Sequence, residues 1–98
     1  MSHNPFPWNE PLPEQPKTRI EVIRVPLFYS ANWKVAIFVD DEEKWSSHEE
    51  PNQPSAEEVR DWLGMMIVNN YSAMKLLNID LAKLYKSVGG DPCEFMWF

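Results

Sequence analysis

Residues 40–50, DDEEKWSSHEE, gather Asp40, Asp41, Glu42, Glu43, His48, Glu49 and Glu50 into one short stretch. Side chains of these types bind hard metal ions or move protons. A calcium loop, however, needs oxygens at fixed steps and a glycine at its sharp turn, and residues 40–56 contain no glycine. A single histidine without an H-E-x-x-H partner does not make a zinc-protease site. The stretch therefore reads as a solvated acidic loop, and no metal is expected there.

Other chemistry finds less support. Cys93 sits among apolar neighbours, with His3 and His48 the only imidazoles, and nothing nearby would activate a thiolate. It reads as a buried or half-buried structural cysteine. One cysteine also excludes an internal disulfide framework. Gly64, Gly89 and Gly90 are the only glycines, so neither a phosphate-cradling loop nor a dinucleotide fingerprint can form. Among 15 acids no carboxylate pair is singled out for acid–base work. The expectation is a protein that is not an enzyme and carries no cofactor.

Charge layout is more informative. The chain of 98 residues has a net charge of −6. Residues 40–61 hold nine acids against Lys44 and Arg60, a balance of −7, while residues 18–39 carry +2. Such a field repels phosphate backbones and attracts basic surfaces, which disfavours nucleic acid as a partner. Trp45 lies among Asp40, Asp41, Glu42, Glu43, Glu49 and Glu50. An aromatic ringed by carboxylates suits a contact with an Arg/Lys surface; the alternative is a tryptophan that folds back to cap a hairpin. Phe6 and Trp8, in the proline-rich stretch NPFPWNEPLPEQP, are further candidate anchors.

These residues need a frame. Pro5, Pro7, Pro11, Pro13 and Pro16 make residues 1–17 an extended arm, read as a strap onto its own domain in preference to a hook for a partner. Residues 18–98 form one compact domain. TRIEVIRVPL is β-branched, with an alternation slip at Val22–Ile23 that suggests a bulge, and WKVAIFVD alternates. The two predict a β-hairpin joined through FYSAN. Residues 40–54 show no periodicity and read as loop. SAEE at 55–58 is a capping-box signature, followed by the amphipathic stripe Val59, Trp62, Leu63, Met66 and Ile67. Met74, Leu77, Leu81, Leu84 and Val88 continue as one helix, or as two broken near Asn78–Asp80 with Asp80 as cap. Gly89–Gly90 supply a left-handed terminus, and CEFMWF reads as a short strand or apolar plug.

The segment NIDLAKLYKSVGG resembles a helix of AT-rich-interaction DNA-binding domains in Leu81, Leu84, Tyr85, Val88, Gly89 and Gly90. That family is all-helical and basic at its DNA contact, whereas this chain has a hairpin pattern and an acidic middle. No function is carried across.

The fold class expected is α+β: a small antiparallel sheet, the N-terminal hairpin plus a candidate C-terminal strand, packed against two or three helices in the order ββαα(α)β. No apolar run approaches the length of a membrane span, and no signal-peptide pattern opens the chain. A cytoplasmic protein without membrane contact is expected. The function expected is a small acidic protein-binding module, of inhibitor, immunity or phage-accessory type, that occupies a basic surface of a larger protein. The alternative is a non-catalytic subunit or small-ligand module whose aromatics line a pocket or dimer seam, with Met65, Met66, Met74 and Met96 as adaptable apolar surface.

Overall fold

The computed structural model describes residues 15–94. Strands β1 (Thr18–Pro26), β2 (Ala31–Val39) and β3 (Glu42–Ser46) precede helices α1 (Ala56–Asn69), α2 (Tyr71–Leu76) and α3 (Leu81–Ser87) and a 3-10 turn at Pro92–Glu94. The sheet is antiparallel in the order β1-β2-β3, so the chain has the α+β architecture with strands first. No described helix is long and apolar enough to cross a membrane.

The predicted hairpin forms in continuous register from Thr18↔Val39 to Pro26↔Ala31. No bulge occurs at Val22–Ile23; the one irregularity lies between β2 and β3, where the pairing Ile37↔Trp45 is followed by Phe38↔Glu43 and steps over Lys44. The larger departure is β3 itself, inside the stretch read as loop. Asp40 and Asp41 have φ of 51° and 68°, the two left-handed residues that a two-residue hairpin turn requires. Aspartate tolerates that conformation better than most residues, and Asp40 Oδ1 also accepts the Lys17 N–H at 2.9 Å. A hairpin therefore closes without the glycine that usually announces it.

Val35, Ile37 and Val39 alternate toward the helices and are buried. Ile37 and Val39 meet Leu63 and Ile67 of α1, Met74 of α2, and Leu81, Leu84 and Tyr85 of α3, with Ile79 between the last two helices. Helix α1 begins where the capping box predicts: Ser55 Oγ accepts the Glu58 N–H at 3.1 Å and Glu58 Oε1 accepts the Ser55 N–H at 3.2 Å. The second apolar series resolves into two helices. Asn78 turns left-handed at φ 60°, and Asp80 Oδ1 accepts the Lys83 N–H at 3.0 Å. Beyond α3, Gly89 at φ 84° lets the Gly90 N–H reach Tyr85 C=O and its own N–H reach Lys86 C=O, both at 3.0 Å. That pair of bonds is the Schellman ending.

Cys93 is exposed, not buried as expected: it sits in the 3-10 turn, whose backbone is tied outward through the Cys93 N–H to Asp91 Oδ1 at 2.9 Å. Residues 92–94 thus do not begin a strand, and Phe95–Phe98 lie outside the described residues. So do Phe6 and Trp8 and the arm through residue 14.

Candidate functional site

The backbone after β3 stays attached to the sheet. Ser47 N–H bonds Val35 C=O at 2.8 Å, and Ser47 Oγ accepts the Val35 N–H at 2.8 Å while donating to His48 C=O at 3.0 Å. Further along, Trp33 and Glu50 exchange backbone bonds at 2.7 and 2.8 Å, and Asn32 Nδ2 donates to Glu49 Oε1 at 3.4 Å. The acidic loop is therefore fixed along β2 before Pro51–Pro54 carry the chain to α1.

Between that loop, β2 and α1 lies a depression of about 350 Å³. Its apolar lining comes from Trp33, Val35, Pro54, Trp62, Met65 and Met66; its polar lining includes Ser46, Ser47, His48, Asn52, Glu50 and Glu58. Trp33 and Trp62 are half-buried, so each keeps exposed ring surface. Lys34 also lines it, but its ammonium is paired with Glu43 Oε1 at 3.0 Å. Two indoles with two carboxylates nearby suit a cationic side chain carrying an apolar stem: the ring faces attract the charge and the carboxylates can bond it. Glu58 spends one carboxylate oxygen on the helix cap.

The structure separates the acids that sequence reasoning had grouped. Asp40, Asp41, Glu42 and Glu43 surround the β2–β3 turn, at the end of β2 away from Glu49 and Glu50, which flank Asn32 and Trp33. Most of the turn's acids have cationic partners. Arg19 pairs with Asp41 Oδ1 at 2.5 Å and Glu21 Oε1 at 3.1 Å; the hydrogen bond to Asp41, then that to Glu21, raises the guanidinium's pKa. The same guanidinium lies over the Phe38 ring at 4.4 Å from its centroid. Glu42 pairs with Lys44 at 3.2 Å. Trp45 is half-buried, pairs with Ile37 and packs on the core cluster, so its ring contributes to packing.

Sequence reasoning placed Trp33 and Trp62 on separate amphipathic elements, and took Glu58 only as a cap. Their meeting depends on α1 returning over β2. Of the four methionines expected to offer adaptable surface, exposed Met65 and half-buried Met66 line the depression, Met74 is instead fully buried in the core, and Met96 lies outside the described residues. A second feature went unread: Leu27, Phe28 and Tyr29, at the tip of the β1–β2 hairpin, are 48%, 89% and 93% exposed. Phe28 and Tyr29 stack edge-on with centroids 4.5 Å apart. Among the described residues, no three acid, imidazole or thiol groups converge as a metal site.

Comparison with protein-family models, curated proteins and solved structures found no match.

Proposed function

We propose that the chain is a small acidic protein-binding module, of inhibitor, immunity or phage-accessory type, that occupies a basic surface of a larger partner. The observation that carries this reading is the depression between β2 and α1, where Trp33 and Trp62 stand beside Glu50 and Glu58. An arginine or lysine presented by the partner would lay its stem on the indoles and its charge against the carboxylates. The remaining acids, on a chain of net charge −6, would speed encounter with a basic face without each forming a contact.

The test is selection of surface-displayed random peptides against the full chain. The expected winners carry Arg or Lys beside an apolar residue, bind less tightly as salt rises, and lose at least tenfold in affinity against Glu50→Gln/Glu58→Gln. Glutamine at position 58 can still complete the capping box, so the fold is spared. Winners that are acidic or uncharged, or that bind the double variant equally, would defeat the reading.

A further inference from the structure

Folded proteins ordinarily guard the edges of their sheets, and the two edges here differ. β3 is five residues long, irregular in register and carries Glu42, Glu43 and Lys44, all features that discourage further pairing. β1 is nine residues long, unbroken in register, and holds its one proline at the last position. Its outer side is unpaired among the described residues.

The groups on that outer side follow from the ladder. Lys17 C=O accepts the Asp40 N–H and Leu27 N–H donates to Ser30 C=O, both at 2.8 Å. Antiparallel neighbours bond through alternate residues. Arg19, Glu21, Ile23 and Val25 therefore bond β2, and Ile20, Val22 and Arg24 present N–H and C=O outward. Pro26 belongs to the outward set, where its missing N–H costs the existing hairpin nothing.

We propose that β1 pairs antiparallel with β1 of a second copy of this chain, about a two-fold axis at Val22, to form one six-stranded sheet with all helices on one face. Centring on Glu21 would set that acid against itself, and centring on Arg24 would do the same with arginine. Centring on Val22 pairs the whole strand, from Thr18 opposite Pro26, and puts no like charges directly opposite. Arg19 and Arg24 are balanced by Glu21 and by Asp41, which holds Arg19, so this edge is near neutral in a chain of −6 and two copies approach there with the least repulsion. Val22, 37% exposed, is covered at the axis. Continuing the register, the second copy's Leu27–Ser30 turn runs beside Pro16 and Gln15. It meets there a hollow of about 460 Å³ bordered by Lys17, Thr18, Asp80 and Lys83, which gives the exposed Phe28 and Tyr29 a cover.

The register makes a cross-linking test sharp. Residues opposed in a hydrogen-bonded pair lie about 5.5 Å apart at Cα, within the ~4.4–6.8 Å span of a disulfide. In a full-length Cys93→Ser background, Val22→Cys is expected to oxidise to a covalent dimer. Arg24→Cys is expected to stay monomeric, because its two copies lie about 13 Å apart along the strands. A mixture of Arg19→Cys and Val25→Cys, which touches the axis in neither chain, should cross-link only on mixing. Sedimentation across a dilution series should show the Cys93→Ser parent exchanging between monomer and dimer. A monomer at every concentration overturns the proposal, whether the edge is taken by residues outside 15–94 or awaits a peptide of another protein. Equal cross-linking of Val22→Cys and Arg24→Cys, or none in the mixture, overturns the register.

Discussion

Trp33 and Glu50 hold one another through two backbone hydrogen bonds, at 2.7 and 2.8 Å, beyond the end of β3. This bridge joins the acidic loop to the central strand and so sets one wall of the candidate groove. Ser47 secures the same loop, since its hydroxyl takes the N–H of buried Val35.

Ser47→Ala should therefore destabilise the chain by about 1–3 kcal/mol, the cost of leaving a buried backbone donor unsatisfied. A urea titration reads the loss. Amide exchange at Glu50 should accelerate more than exchange at Ile67, because the loop opens before the core does. Equal acceleration at both would mean that the loop has no separate opening.

The helix caps give a graded series. Ser55→Ala should cost about 1 kcal/mol through the N-terminus of α1, and Asp80→Ala a similar amount through α3. Glu58→Gln should be close to neutral, because glutamine can replace glutamate in the capping box. Denaturant midpoints check all three, and a large loss in Glu58→Gln would remove the peptide-selection test's control.

Gly89 and Gly90 should fail for different reasons. Gly89 has φ 84° with open space around it, so Gly89→Ala should cost about 1–2 kcal/mol in backbone strain alone. A Cβ on Gly90 would overlap the ring of Tyr85, and Gly90→Ala should cost about 1–3 kcal/mol by overpacking. Adding Tyr85→Leu should relieve the second substitution and leave the first unchanged, as thermal melts of the double variants would show.

Tyr85 should also make stability fall at alkaline pH. Burial, and secondarily the charge of Glu94, raise its pKa above the ordinary 10.0; its hydroxyl donates to Glu94 Oε2 at 3.2 Å. A raised folded pKa means that the unfolded chain gives up this proton first. The contribution is thus complete below pH 10.0 and is lost as pH rises through the higher folded value. Tyr85→Phe should flatten the alkaline limb relative to wild type, with both measured by urea midpoint. Parallel limbs would assign the decline to other groups.

The elements that were legible are those whose determinants lie within a few residues. Ser55 and Glu58 announce α1, Asp80 starts α3 and Gly89–Gly90 end it, each by bonds spanning one turn. β-branched composition sufficed for β1 and apolar alternation for β2. β3 was missed because EEKWS is poor in strand-forming residues and because its turn uses two aspartates where glycine is the usual signal. Its pairing comes from β2, a buried central strand whose outer hydrogen-bonding groups need partners, and this tertiary demand outweighs local preference.

The candidate site was less legible than the fold, for the same reason. The amino-acid sequence alone determines that the charge is concentrated in residues 40–61, that the aromatics are numerous, and where the helices begin and end. Only the tertiary structure decides which charges are answered, placing Arg19 on Asp41 and Lys34 on Glu43. It likewise turns Trp45 onto the core and brings Trp62 over the strand that carries Trp33. Caps and turns are closed by neighbours along the chain, whereas a groove or a sheet edge is defined by segments that meet only after the helices fold back over the sheet.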